Sequence, residues 1–454
     1  MKRCLCLIFC IFGFVLWPAA AKAQSTRPSN SIVSSDSEAP ESPIHLEAPV
    51  EVRPFEVVLP REHLFGDWLG VRTELEDMGI TPVFSLEVDV AGNPTGGRSQ
   101  GITQASNLGL DMLFDLEKIA GVKGASFQVQ MSERWGNSLS SEYVGNVFTT
   151  QQDFGGETFH VVDVAYQQKL SDDRIELRIG RIGAGDDFLV SQYDYLFMQN
   201  GFDGNPVGIF LIAPGMTAYP NATWGAILKA RPTERTYVIF GIYNGDPSIR
   251  GNDHNGVDMS LDGPAFAIGE VGLQVNGLPG DTGLIGSYKA GLWYDHSEQT
   301  QFGTNDSQRG SLGFYGLFDQ VLIPFADRKT NRGLGIFGSV TFSGDPSVAQ
   351  LPFFFTAGVA ARGILAARPA DSCGLGMVYG QFSPDLRDAQ EQAQQINPSV
   401  PVQTHELAVE LTYRFSLHKN SMFFQPDLQY IVNPGAAGKY ADALVLGCRL
   451  GFNF

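Results

Sequence analysis

The chain closes on "ALVLGCRLGFNF", Ala443 to Phe454. Leu444, Leu446, Cys448, Leu450, Phe452 and Phe454 form one set; Gly447, Arg449, Gly451 and Asn453 form the other. A period of two puts these sets on opposite faces of a strand, one apolar and one polar. The apolar face looks onto a protein core or onto lipid, and the rest of the chain decides which.

The same period recurs upstream. "VFSLEVDV" separates Phe84, Leu86, Val88 and Val90 from Ser85, Glu87 and Asp89. "RIELRIG" separates Ile175, Leu177 and Ile179 from Arg174, Glu176 and Arg178. "HELAVELTYRF" separates Leu407, Val409, Leu411, Tyr413 and Phe415 from Glu406, Glu410, Thr412 and Arg414. Such segments begin near residues 83, 107, 124, 159, 174, 223, 236, 266, 285, 310, 333, 353, 374, 405, 421 and 442. An even count of about sixteen suits a single-chain membrane barrel.

Loop lengths give an independent test. Alternate connections are compact, as in "KIAGVKG", "LSDD", "ARPTE", "GLPGDTG" and "LHKN". The others are mostly long: Ala91 to Ser106, Trp135 to Glu157, Gly183 to Ala222, Asn244 to Pro264 and Pro384 to Thr404. Short turns on one rim and long loops on the other is the asymmetry of a transmembrane barrel. The prediction is therefore an all-β fold, an antiparallel transmembrane β-barrel of about sixteen strands over residues 81–454. The apolar set then faces hydrocarbon. The last strand pairs with the first, so no edge is left in lipid. The polar set lines a wide, wet interior, because this many strands enclose more space than side chains fill.

The segments before the barrel read differently. Residues 1–23 form a signal peptide: Lys2 and Arg3, an apolar run from Leu5 to Leu16, and "AKA" at Ala21 to Ala23. Bulky Phe9 before Cys10 excludes a lipoprotein signal. Residues 24–60 read as a flexible leader rich in Ser, Pro and Glu. Over residues 61–80, Leu64, Trp68, Val71, Leu75 and Met78 recur at helical spacing, which predicts a short amphipathic helix ending at Gly79. It is too short and too charged to span a bilayer.

Composition agrees. Gly is abundant at 52 residues and Phe at 32, with 43% hydrophobic residues overall. Loss of Lys2, Arg3 and Lys22 with the signal takes the net charge from −18 to −21, which argues against a nucleic-acid partner. Of the cysteines left, Cys373 and Cys448, the alternation points Cys448 outward as a small apolar residue.

Five motifs resemble the carbohydrate-selective porin family of Gram-negative outer membranes, the OprB type. They are "LFGDWLGVRTELEDMGI" (Leu64 to Ile80), "LRIGRIGAGDDF" (Leu177 to Phe188), "YPNATWG" (Tyr219 to Gly225), "GIYNGDP" (Gly241 to Pro247) and "FQPDLQYIVNPG" (Phe424 to Gly435). The resemblance implies a sixteen-stranded outer-membrane porin admitting glucose and other monosaccharides. It implies no enzyme, no cofactor and no metal. It makes Phe454 part of a signal read by barrel-insertion machinery. The expected partners are monosaccharide solutes, outer-membrane lipid and that machinery. Monomer and homotrimer both stay open, since lipid-facing residues at a subunit contact look like any others. A general size- and charge-filtering porin and a structural or adhesive envelope barrel are the alternatives.

Candidate sugar contacts follow from the polar set. Arg134, Arg178, Lys229, Glu270, Arg362, Glu410, Arg414 and Asp427 should face the lumen, where acids and bases hydrogen-bond sugar hydroxyls. Trp293 falls on the same side and would offer a flat face to a pyranose ring. Gly183 to Ala222 is the longest connection. With Asp186, Asp187 and apolar stretches beside them, it is expected to fold inward and narrow the pore. "GRIGAGDD" opens no amphipathic helix, so it is not a phosphate loop. Gly251 to Gly263 departs from calcium-loop spacing and reads as a solvated loop. The histidines show no ligand spacing.

Overall fold

Alternating residues become strands here because the two faces meet different surroundings. In the computed structural model, which describes residues 62–155, 158–202, 212–246, 248, 255–257, 259–278, 280–325 and 332–454, sixteen antiparallel strands close into one barrel. They are β1 (Ile80–Gly97), β2 (Ile102–Asp115), β3 (Ala125–Gly136), β4 (Thr158–Leu170), β5 (Ile175–Ile182), β6 (Thr223–Thr233), β7 (Thr236–Asn244) and β8 (Ala265–Val275). The second half comprises β9 (Gly286–Thr300), β10 (Ser307–Pro324), β11 (Gly333–Ser343), β12 (Phe353–Arg362), β13 (Ser372–Gln381), β14 (His405–Leu417), β15 (Met422–Val432) and β16 (Ala441–Asn453). Every strand expected from periodicity is present, five of them starting at the expected residue and the others within five residues of it.

The alternation sorts as expected. Phe240, Leu411 and Leu446 are about half exposed on the outer face, whereas Glu87, Glu410 and Arg449 are buried inside. Both cysteines are free thiols on outward positions of β13 and β16. The signal peptide and the leader lie outside the described residues.

One connection and the N-terminal helix differ from expectation. β1 and β2 pair as far as Gly92 and Ile102, and β1 runs on to Gly97. The link expected over Ala91 to Ser106 is therefore a short turn, because polar and glycine-rich sequence continued the ladder. The N-terminal helix is shorter than expected. Only α1 (Val71–Asp77) is α-helical, after a single 3-10 turn at Trp68–Gly70. Gly66, Trp68, Leu69 and Gly70 all have positive φ, which a right-handed helix excludes. Two further helices cap loops. α2 (Leu116–Ala120) starts where the Asp115 carboxylate accepts from the Glu117 and Lys118 amides. α3 (Pro384–Ile396) starts at Ser383 and buries none of its residues, so the loop after β13 stays on the rim.

The interior departs from a wholly wet lumen. Inward positions on β7 to β13 carry Tyr243, Phe266, Ile268, Trp293, Tyr315, Leu317, Phe337, Phe354 and Val378, all buried in one apolar cluster. The cluster includes Phe188, Leu189, Phe197, Phe202, Ile212 and Met216 from the connection between β5 and β6. The described parts of that loop run inside the barrel, and these apolar residues find their surface on the inner wall. β13 shows how it fits. Gly374, Gly376 and Gly380 sit on inward positions. A Cβ there would come within 2.7 Å of Phe197, 2.6 Å of Phe202 and 2.5 Å of Phe148 respectively. Glycine inside a strand here admits aromatic rings against the backbone.

Closure rests on β1 against β16, where Asp89 sits opposite Arg449. Arg449 donates Nε to Asp89 Oδ1 at 2.6 Å and Nη2 to Oδ2 at 2.8 Å. Both side chains are fully buried, and Asp153 stands 3.4 Å from the same guanidinium. Removing one partner of such a pair leaves an uncompensated charge. Arg449→Ala should therefore destabilise the barrel by about 3–5 kcal/mol, read from urea unfolding in lipid vesicles. Leu446→Ala on the lipid side of the same strand should cost much less; equal losses would refute the role given to the pair.

Candidate functional site

The wall holds the inward loop through its backbone. Glu410 on β14 accepts from the Met198 amide at 2.6 Å and the Gln199 amide at 3.0 Å. Glu270 on β8 accepts from the Leu189 amide at 3.0 Å and the Tyr315 hydroxyl at 2.9 Å. Asp319 on β10 takes the Ser191 hydroxyl at 2.6 Å and the Gln192 amide at 3.1 Å. Asp295 on β9 takes the Gly215 amide at 2.7 Å. Donors complement them: Lys289 Nζ to Val190 O at 2.7 Å, Gln425 Nε2 to Leu196 O at 2.7 Å, and Arg414 Nη2 to Tyr195 O at 3.2 Å. A buried loop has amides and carbonyls that need partners. The strands have spent their own on the ladder, so inward side chains supply them.

A second loop, described over residues 137–155, also turns inward. Glu406 accepts from the Val147 amide at 2.8 Å, the Phe148 amide at 2.9 Å and the Gly435 amide at 2.7 Å. Gln429 Nε2 donates to Thr150 O at 2.9 Å. Leu139, Val144, Phe148, Thr150 and Gln151 are fully buried. Sequence reading marked this connection only as long. The apolar residues Val144, Val147 and Phe148 within it were the available signal.

Where the first loop leaves β5, Arg178 gathers three carboxylates. It lies 3.1 Å from each of Asp163, Asp186 and Asp187. Burial first, and then Asp163, push the Asp186 carboxyl up to about 8, since one guanidinium cannot neutralise three buried acids. Arg178, Asp186 and Asp187, expected separately as lumen residues, thus form one cluster with Asp163, which sequence reading missed.

The inner wall of β1 to β4 and β14 to β16 is mostly polar, apart from a small apolar cluster of Ala91, Ala408, Ile431, Ala443 and Val445 under the second loop. Arg134 on β3 stacks over the Tyr219 ring at 5.2 Å and donates Nη1 to Gln152 O at 3.1 Å. Tyr219 donates its hydroxyl to Asn107 at 3.2 Å, and Ser132 donates to the same oxygen at 2.8 Å. Burial pushes the Tyr219 hydroxyl up to about 12, so it keeps its proton for donation. Glu87 Oε1 and Arg134 Nε have no hydrogen-bond partner among the described residues. This side of the barrel offers donors and acceptors, whereas the β7 to β13 side is filled with hydrocarbon.

Residues 99–454 match the carbohydrate-selective porin, OprB family. The chain belongs to this family. It is 29% identical over 420 residues to Porin B of Pseudomonas aeruginosa, covering 85% of this chain and 90% of the relative. It is 26% identical over 422 residues to a putative porin QuiX of Acinetobacter baylyi, covering 87% and 93%. The high-pH structure of Pseudomonas putida OprB superposes with a TM-score of 0.80 at 26% identity, over 87% of this chain and 98% of that one. The barrel and the family make this chain a sugar-selective porin, a transport channel of the outer membrane rather than an enzyme.

Within this porin, several expected contacts have other partners. Trp293 is fully buried and stacks on Tyr315 with ring centroids 6.4 Å apart. It lies buried in the same apolar cluster as the loop residues, so it presents no flat surface to a solute. Glu270, Glu410 and Arg414 hold loop backbone. Lys229 sits 4.9 Å from the Tyr237 ring, whose hydroxyl bonds Glu270. Asp427 accepts from Gln429 at 2.9 Å. Arg362 ends β12 opposite Gly333 on the short-turn rim. Arg134 is the expected residue on the polar wall beside an aromatic ring. Within Gly251 to Gly263, residues 251–254 and 258 lie outside the described residues.

The Glu410 anchor predicts a channel phenotype. Glu410→Ala strands two loop amides, each bond to a charged acceptor worth about 1.5–3 kcal/mol. Planar-bilayer recordings should show higher and noisier conductance, with Glu410→Gln in between. Wild-type traces from Glu410→Ala would sink the anchoring role.

Proposed function

We propose that this porin passes monosaccharides of the glucose type by passive diffusion along its polar wall. The observation that carries this reading is the asymmetric filling of the lumen. Apolar loop residues pack on the side of β7 to β13. The wall of β1 to β4 and β14 to β16 is mostly polar, and while Glu406, Glu410 and Gln429 there hold loop backbone, Glu87 Oε1 and Arg134 Nε have no hydrogen-bond partner among the described residues. A pyranose presents hydroxyls around its rim, and Arg with carboxylates supplies matching donors and acceptors. Arg134, Glu87 and Tyr219 are the residues assigned to contact, with Arg178, Asp186 and Asp187 setting the charge at the loop's entry.

Ion current through wild-type channels should fall as glucose is titrated. Arg134→Ala should weaken that block about tenfold, the worth of one charge-assisted hydrogen bond. Conductance without sugar block would favour a general porin. Absence of conductance would favour a structural barrel.

Export through a cleaved signal ending at residue 23 belongs to the same reading, as does recognition of Phe454 by the insertion machinery. Deleting Phe454 should lower the yield of heat-modifiable barrel in outer membranes far more than the yield of barrel refolded in detergent, where no insertion machinery acts. Normal yield in membranes would refute the signal role.

A further inference from the structure

The segment before β1 lies along the lipid side of the closing seam. Leu64 donates its amide to Asn453 O at 2.6 Å, and Glu62 donates to Asn420 O at 2.9 Å. Phe65 stacks on Phe454 with centroids 5.5 Å apart, and Trp68 stacks on Phe84 at 5.5 Å with rings 7° from parallel. Phe84 and Phe454 belong to the outward, apolar sets of β1 and β16. Arg72 ties the arrangement to both strands. It donates Nη1 to Pro82 O at 2.9 Å and Nη2 to Phe454 O at 2.5 Å, and it lies 4.3 Å from the Trp68 ring.

Beyond these contacts the segment turns its apolar side chains outward. Leu69 is fully exposed, Phe65 is 65% exposed and Val71 42%. Trp68, Leu69 and Gly70 have φ of 50°, 62° and 98°. This left-handed turn projects Leu69 away from the barrel and is costly for a leucine. In water it would gain nothing. The acidic side chain within the segment is held by the helix: Asp67 accepts from the Thr73 amide and hydroxyl, both at 2.8 Å.

We propose that Leu64 to Val71 is a membrane-interface anchor, with Phe65, Leu69 and Val71 seated in lipid at the short-turn rim. The occupant is lipid because the segment's aromatics continue the lipid-facing wall without a break. Aromatic and apolar residues at this level match the girdle that flanks a barrel's apolar band. The segment thereby clasps β1 and β16 from the lipid side, where the seam has only backbone bonds and packing. The proposal rests on the membrane-spanning reading of the barrel.

Nitroxide labels test it in the full mature chain, with Cys373 and Cys448 replaced by Ala and the protein in phosphatidylcholine vesicles. Labels go on Leu69→Cys, Val71→Cys, the helix residue Asp77→Cys and the outward wall residue Leu411→Cys. Accessibility to oxygen, which partitions into lipid, is compared with accessibility to a water-soluble nickel chelate. The expected oxygen-to-nickel ratio is several-fold higher at Leu69 and Val71 than at Asp77, and close to that at Leu411. Ratios at Leu69 and Val71 equal to that at Asp77, with Leu411 still favouring oxygen, would overturn the anchor. A nickel preference at Leu411 as well would overturn the membrane reading beneath it.

Discussion

Inside hydrocarbon a peptide N–H or C=O has no partner except another polar group of the protein, and leaving one unpaired costs several kcal/mol. A strand in lipid therefore needs a neighbour on both sides. Ile80–Gly97 and Ala441–Asn453 answer this for the whole sheet by pairing with each other. Once they meet, inside and outside are defined, and every other assignment of function becomes possible. The Asp89–Arg449 pair stands on the inner side of this seam, and the stacked rings of Phe65, Trp68, Phe84 and Phe454 stand on the outer side. Polar contacts thus fasten the seam where the surroundings are polar, and apolar contacts where they are not.

Closure creates a second problem. Sixteen strands enclose more volume than their own side chains fill. Two loops enter to reduce it, and each brings backbone groups that must be paired. Carboxylates are suited to this task, because two oxygens accept from successive amides: Glu410 serves Met198 and Gln199, and Glu406 serves Val147 and Phe148. A share of the interior acidity therefore supports architecture rather than permeation. The apolar parts of the loop settle on the wall of β7 to β13, where inward positions are aromatic, aliphatic or glycine. The remaining wall stays polar, and the lumen acquires two chemically different sides. Such a lumen suits a solute whose hydroxyls need partners and whose size excludes it from the filled half.

The sequence by itself determined the barrel. Period-two alternation from Phe84 to Phe454, the alternation of short and long connections, and the even strand count each follow from constraints that act on neighbours along the chain. The sixteen strands appear where those patterns put them, and the side on which Arg134, Arg178 or Glu410 projects was legible for the same reason. The length and apolar content of Gly183 to Ala222 also announced a loop that needed an inner surface. What only tertiary structure decided is who meets whom. Alternation gives a side chain's face but not its partner across the lumen. Glu270 and Glu410 thus read as sugar contacts until the loop amides arrived beside them, and Trp293 read as an open platform until it was buried in the cluster the loop completes. Asp163 joined Asp186 and Asp187 around Arg178 through strand pairing and loop entry, which no local pattern encodes. The N-terminal helix shrank to Val71–Asp77 because Trp68 and Leu69 took a left-handed turn onto the seam. Helical spacing along the chain could not register that contact, since Phe84 and Phe454 come within reach only when the barrel has closed.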